Sequence, residues 1–473
     1  MNLYSENENY KLYQGNMLDM LEVIKPNSID SIICDPPYEL NFMGKGWDNS
    51  GIAFQSDTWK KCYEVLKPGG YLLAFGGSRT FHRIACAIED AGFEIRDTIM
   101  WLYGSGFPKS QNIGKMYDKK MKNDREKIGE TRIGKTSLGD NSGWDTSQHM
   151  KDIKATGKVD ITKGTSKWEG WGSCLKPSFE PIIVARKPFK GSLVDNVIEY
   201  GVGGINIDEC RVETNEEMKS CKRGSGVFSE TVNGKITGWN KDDYNGEYQP
   251  NNLGRFPANI ILTYDETDFD EVCGGFPDTK SKGSNANYEI SNSDNIYNFA
   301  NGKNIKSGIH FEDSGSASRY FYCAKASKKD RDEGLDEFEI KKTGELQGGR
   351  KEGSAGSMML NADGTTRVNP YAGTGTPKKN THPTVKPTLL MQYLVRLVTP
   401  NGGTVLDPFN GSGSTGKAVM YEHKERNKNY KYIGIELTEE YLPIAKARIE
   451  YVCNLKEDKN PQLSIFDLEN KDE

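Results

Sequence analysis

The run Ser28 to Tyr38, SIDSIICDPPY, limits this chain more than any other stretch. Ser28 to Cys34 alternates around Ile29, Ile32 and Ile33 and predicts a buried strand. It is followed at once by Asp35, Pro36, Pro37 and Tyr38. Proline has no N–H to give to a sheet ladder, so the strand must end there, and the next side chains leave the sheet edge in a fixed direction. A carboxylate and an aromatic ring held this way read as a site, not a core. Downstream, Trp59, Cys62, Tyr63 and Leu66 share one helical face over Thr58 to Lys67. Lys67-Pro68-Gly69-Gly70 is expected to end that helix before the strand YLLAF. Strand, helix and strand in this order predict a parallel α/β sheet.

A second α/β block lies far along the chain. Leu389, Leu390, Tyr393, Leu394, Leu397 and Val398 form one apolar helix face. Pro400-Asn401-Gly402-Gly403 then turns into the strand TVLDPF. The glycines of NGSGSTG open another helix, the strand YIGIE ends on Glu436, and Tyr441 to Tyr451 is amphipathic. Gly411, Gly413 and Gly416 fit GxGxxG after a strand, and Glu436 closes the next strand twenty positions past Gly416. A dinucleotide site of a nicotinamide or flavin enzyme is one reading. Only 60 residues follow Gly413, too few for the second half of such a fold in ordinary order. Asp407 beside the loop would repel a phosphate but tolerate a cationic sulfonium or amino group. A ligand carrying adenosine without pyrophosphate suits the loop better.

Between the blocks the composition changes. Residues 109–170 carry 14 Lys+Arg against 9 Asp+Glu with few apolar side chains, and they predict a flexible basic insertion. Order is expected to resume at the strand FEPIIVAR. The overall charge of −5 argues against a generic polyanion binder, so any nucleic-acid contact must come from local patches. Nine cysteines occur without a CxxC pair or a Cys/His cluster, so reduced thiols and no metal are expected. No apolar run approaches the ~20 residues that span a bilayer. A chain of the cytoplasm, away from membranes, is expected.

Four motifs together resemble the β class of amino-group DNA methyltransferases, most closely the phage and prophage site-specific adenine enzymes. They are DPPY at 35–38, FEPIIVARKP at 179–188, THPTVKP at 381–387 and LDPFNGSGSTG at 406–416. The resemblance implies a Rossmann-like α/β sheet with circularly permuted motif order and an inserted target-recognition region. It divides the chain into 1–108, the insertion 109–170, a strand region 171–200, target recognition over 201–380, a cofactor-binding half over 381–453 and a tail 454–473. S-adenosylmethionine is the implied cofactor. Phe409, Gly411 and Gly413 would form its loop with Pro408, Asp407 would lie near the methionine part, and Glu436 would take the ribose hydroxyls. Thr381, His382 and Lys386 would close over the methionine end. Where the family usually has Gly-Asp, this chain has Gly15-Asn16, so Asn16 could hydrogen-bond an adenine edge as donor and acceptor without charge.

The implied substrate is double-stranded DNA in a bacterial or phage-infected cell. Asp35 and the Pro36 carbonyl would accept the two N–H bonds of an adenine N6 amine, with Pro37 fixing the turn, freeing the nitrogen lone pair for attack on a sulfonium methyl. The base must first be everted from the duplex, and stacking on Tyr38 would recover about 1–3 kcal/mol. Phe42, Lys45 and Trp47 would form a lid or touch DNA, or else a purely structural loop. Arg211, Lys222, Arg223, Arg255 and Arg319 are candidate DNA contacts. Cytosine-N4 methylation, and an inactive DNA-binding protein of the same fold, are the alternatives; homodimerisation stays open. Gln462 to Phe466, QLSIF, resembles the peptide by which bacterial proteins dock on the replication sliding clamp, with packing onto the catalytic domain as its rival.

Overall fold

The structure is a computed structural model describing residues 2–40, 46–103, 110–132, 158–212, 254–263, 321–323, 328–340 and 379–455, with isolated short stretches between 231 and 368. Lys45, Lys222, Arg223, Arg319, the Trp47 side chain and the tail motif Gln462 to Phe466 lie outside the described residues. In chain order the strands are β1 (Asn2–Glu6), β2 (Tyr10–Gln14), β3 (Ile29–Cys34), β4 (Leu66–Phe75), β5 (Glu94–Tyr103), β6 (Glu126–Arg132), β7 (Lys158–Lys163), β8 (Phe179–Arg186), β9 (Ile260–Thr263), β10 (Tyr322–Cys323), β11 (Thr404–Asp407) and β12 (Lys431–Glu436). The helices are α1 (Met17–Leu21), α2 (Ser56–Val65), α3 (Phe81–Asp90), α4 (Ile113–Met121), α5 (Leu193–Tyr200), α6 (Lys328–Asp332), α7 (Thr388–Val398), α8 (Ser414–Glu425) and α9 (Leu442–Asn454).

Of these strands, all but β6 and β7 form a ten-stranded sheet in the order β1-β2-β12-β11-β3-β4-β8-β5-β9-β10. Only β1 and β8 run antiparallel to their neighbours. The two strands of the distal block, β11 and β12, sit inside the N-terminal sheet, pairing with β3 and β2 respectively.

Both faces of the sheet are covered, which is why β3 is buried at every position. Alternate residues feed two cores. Leu73, Phe75, Ile182 and Val184 pack with the α7, α8 and α9 side chains Leu394, Val419 and Ile449. Leu72, Ala74, Ile183 and Ala185 pack with Leu21, Trp59 and Ile84 of α1 to α3. Three layers, helices on sheet on helices, result.

Three expectations need correction. Lys67 to Gly70 do not stand between helix and strand: α2 already ends at Val65, and the four residues lie inside β4, with the Gly69 amide bonded to the Lys187 carbonyl at 2.9 Å and Gly69 at φ +81°. The region 201–380 is not wholly separate from the catalytic sheet. Strands β9 and β10 extend that sheet beyond β5, where β9 buries Ile261 and Leu262. Residues 328–340 pack behind the glycine loop instead, where Asp330 receives Lys417 at 2.6 Å and the Thr388 amide at 2.7 Å.

The third concerns 109–170, whose described parts are a helix, α4, and an antiparallel hairpin, β6 with β7. One arginine accounts for this order. Arg125 is paired with Asp118 on the buried side of α4, donates to both Glu169 oxygens at 2.8 Å, and bonds the Thr162 carbonyl at 3.0 Å. Its planar fork satisfies helix, hairpin and following loop at once, a role a lysine cannot copy. Arg125→Ala is therefore expected to speed protease cleavage within 110–175 while leaving cleavage of the main sheet unchanged, as read by limited proteolysis with mass mapping; equal cleavage in both proteins would contradict this role for the arginine.

Candidate active site

Strands β3 and β11 are parallel neighbours, with Leu406 beside Ile32. The chain leaves β3 toward β4 on one side and leaves β11 toward β12 on the other. A crevice opens where connections diverge in this way at the carboxyl ends of parallel strands. Asp35 to Tyr38 and Asp407 to Ser412 both line it, around a cavity of about 1260 Å³. Pockets for one drug-sized ligand measure roughly 300–1,000 Å³. This cavity is larger than that range.

On the β3 side, Lys386 donates to Asp35 Oδ2 at 2.6 Å and lies 3.5 Å from Glu180. The Tyr38 hydroxyl donates to Glu180 Oε2 at 2.7 Å, and the Lys386 ammonium sits 5.4 Å from the Tyr38 ring centroid. Asp35 Oδ1 is buried with no hydrogen-bond partner. Burial raises the pKa of Asp35, against the lowering effect of Lys386. Burial lowers that of Lys386, but Asp35 and Glu180 outweigh it and hold the ammonium charged. The Tyr38 phenol is kept neutral by burial and the two carboxylates. The buried Asp48 carboxylate takes the Glu39 and Leu40 amides at 2.9 and 3.2 Å, fixing the turn after Tyr38.

On the β11 side the glycines divide their work. Gly411, at φ +53°, faces the cavity, where a Cβ would stand 3.0 Å from His382 Nε2. Gly413, expected in the cofactor loop, lies outside the cavity lining; a Cβ there would meet Ala445 Cα at 2.9 Å, so it serves the approach of α9. Both Glu436 oxygens are occupied, by the Gly411 amide at 2.6 Å and the Thr438 amide at 2.7 Å. Asp407 likewise spends its oxygens on the Phe409 amide at 3.0 Å and the Thr415 hydroxyl at 2.6 Å. Burial pushes both carboxyls up to about 7, despite these bonds. Pro408 and Phe409 line the cavity, with Phe409 tilted on Trp59.

Asn16 also lines the cavity, but its side-chain oxygen caps α1 through the Leu18 amide at 3.0 Å. Its NH₂ remains the donor offered. His382 is buried against the Tyr441 ring, accepts the Thr384 amide through Nδ1, and is pushed down to about 3 by burial and nearby cations, so it is neutral. Thr381 does not reach the cavity wall. Arg211 bonds Asp208 at 2.9 Å, and Arg255 forms a bridge to Val212; neither lines the cavity.

Two participants escaped the sequence. Glu180 lies inside FEPIIVARKP, read as a strand and as part of the resemblance with no role for its carboxylate, although a carboxylate entering an otherwise apolar run is a signal. Arg448, fully buried, holds the glycine loop from behind through the Ser412 carbonyl at 2.9 Å and the Ser414 hydroxyl at 3.1 Å. Among the described residues no group of side chains could hold a metal ion, and no helix is long and apolar enough to cross a membrane.

A family model described as DNA methylase matches residues 29–447. The chain belongs to the DNA methylase family. Members of that family take their methyl group from S-adenosylmethionine. The methylase is similar to type II methyltransferase M2.LlaDCHI of Lactococcus lactis subsp. cremoris, 28% identical over 232 residues that make up 43% of this chain and 81% of the relative. It is also similar to M.HindIII of Haemophilus influenzae, 22% identical over 307 residues, 56% of this chain and 84% of the relative. Among solved structures, the cytosine-N4-specific PvuII DNA methyltransferase aligns with a TM-score of 0.38 and 14% identity, over 97% of this chain and 93% of the other. The M1.HpyAVI–SAM complex aligns with a TM-score of 0.32 and 15% identity, over 93% and 99%.

The ion pair sets the direction of the pH response. An ionised Asp35 is the stronger acceptor at Oδ1. Lys386→Met removes the group that lowers its pKa, so the acid limb of the rate–pH profile is expected to move to higher pH. Glu180→Gln removes a charge that raises it and is expected to move that limb to lower pH. Initial methyl-transfer rates across pH check both, and shifts of the same sign would contradict the assignment.

Proposed function

We propose that the chain methylates the N6 amine of an adenine everted from duplex DNA, with S-adenosylmethionine as the donor. The observation that carries this is Asp35 Oδ1, a buried acceptor without a partner, on the wall shared with the glycine loop. An unsatisfied buried oxygen is costly unless a ligand completes it. A neutral amine N–H does so. The other oxygen is already held by Lys386, so one acceptor is aimed and its direction fixed.

The donor's reactive group is an electrophilic methyl on sulfur. The cavity suits such a molecule: Gly411 lets the backbone come close, and the Asn16 amide is offered at its rim. Glu436 holds the loop in shape and can take ribose hydroxyls through remaining lone pairs. Asp35 and the Pro36 carbonyl accept the two amine N–H bonds and draw the nitrogen out of conjugation with the ring. Positive charge then grows on that nitrogen. The local sum of Asp35, Glu180 and Lys386 is one negative charge, which favours the transition state over the neutral ground state. Tyr38, tethered by Glu180, presents its ring to the base. A permuted motif order fits the insertion of β11 and β12 between β2 and β3, and target reading is assigned to residues between 201 and 380, Arg211 and Arg255 included. Gln462 to Phe466 is assigned to sliding-clamp docking; deleting 460–473 is expected to abolish clamp capture in a pull-down without slowing methylation of short duplexes.

Tritiated-methyl transfer to unmethylated DNA followed by nucleoside analysis decides the base: N6-methyladenine is expected, whereas N4-methylcytosine would replace the proposal by its nearest alternative. Asp35→Ala is expected to lower single-turnover transfer by about 10²–10³, the usual loss of one aimed electrostatic group. Donor binding, measured by calorimetry, should stay within about twofold, since Asp35 contributes nothing to the glycine loop. Wild-type transfer by Asp35→Ala would sink the mechanism.

A further inference from the structure

The inserted segment has an unusual surface. Its helix α4 buries Gly114 and Asp118 and exposes Lys115, Lys119, Lys120 and Lys122. The start of α4 is tied to the loop beyond the hairpin: the Ile113 amide bonds the Trp171 carbonyl at 2.9 Å, Asn112 bridges to Gly172, and the Gln111 amide bonds Ser173 Oγ at 2.8 Å. From there the chain runs through Leu175 directly into β8, which carries Glu180. Residues 173–179 form one rim of the cavity, and Arg79 lies on it too. Leu175 is 92% exposed, the most exposed large apolar side chain among the described residues. A leucine standing in water at the mouth of a catalytic cavity lacks a partner within the fold, and nine helical residues at ~1.5 Å each place the lysines within about 14 Å of the tied end.

We propose that the described residues 110–132 and 158–178 are an arm that grips the duplex beside the everted base, with the lysines on and just after α4 on phosphates and Leu175 entering the base stack to fill the vacated space. This deepens, and rests on, the reading of the site as a DNA amine methylase. Charge complementarity selects a polyanion. The rim position selects the part of it next to the target. Apolar side chains are the wedges proteins drive between base steps, and an arm locked by Arg125 can transmit the thrust. The occupant is double-stranded DNA, since a single strand has no gap to fill.

Two measurements test it. Leu175→Ala should slow methyl transfer to a fully paired duplex by about tenfold or more, and placing an abasic site opposite the target should restore the wild-type rate, because eversion no longer needs help. Equal rates for variant and wild type on paired DNA, or the same loss on both duplexes, would overturn the wedge. Replacing Lys115, Lys119, Lys120 and Lys122 by Gln should make the slope of log binding constant against log salt shallower, by about 0.9 for each phosphate no longer neutralised. An unchanged slope would overturn the grip. The salt slope is read from binding without turnover. If the wild type binds with the steep slope but methylates no DNA, the catalytic reading fails while the surface stands.

Discussion

The pairing of β3 with β11 is the contact on which the rest depends. Only two residue pairs define it, Val405 with Ser31 and Leu406 with Ile32, yet it joins segments separated by most of the chain. Parallel register brings the carboxyl ends of both strands to one edge. The segments leaving the two strands are then forced into the same crevice: prolines and a carboxylate from one, glycines from the other. A slip of one residue would send Leu406 to the opposite face and break both cores. Buried polar groups reinforce the join, since Asp30 of β3 accepts the Thr404 amide at 2.8 Å and pairs with Lys67, and Ser31 Oγ meets Thr399 Oγ1 at 2.8 Å.

Within the crevice the buried Lys386–Asp35 pair divides the labour of a single carboxylate. A lone buried carboxylate would escape its desolvation by taking up a proton, and so would become a weaker acceptor. The ammonium prevents that by taking one oxygen and leaving the other oriented. Glu180 returns the balance to one negative charge and anchors Tyr38. Three chain segments meet in this network. It is rigid because each member is held by another.

What the sequence made legible was what local backbone constraint writes into it. The end of β3 is announced by Pro36 and Pro37, and the turn after β11 by Gly411 and Gly413, because missing N–H groups and positive φ leave little choice of residue. The alternation that assigns β3, and the apolar face of α7, were readable for the same local reason. Pairings across the chain were not. Lys386 meets Asp35 over 351 positions, and nothing in THPTVKP points to that partner. Gly413 was read as part of a ligand loop, whereas its neighbour is Ala445. The insertion looked like solvated charge, since Arg125, Asp118 and Glu169 have the composition of any surface. Only their convergence makes them a structural centre, and composition cannot express convergence.

Placing β11 and β12 inside the N-terminal sheet has a consequence for how the molecule is made. About 370 residues separate the end of β3 from the start of β11, which at roughly 5–20 residues per second is on the order of 20–70 seconds of translation. Through that interval the flank of β3 and the flank of β2 have no permanent neighbours. Open strand edges of this kind invite wrong partners. The nascent polypeptide must keep a slot free until β11 and β12 emerge, so shielding of that slot during synthesis bears on yield in a way that the finished core does not record.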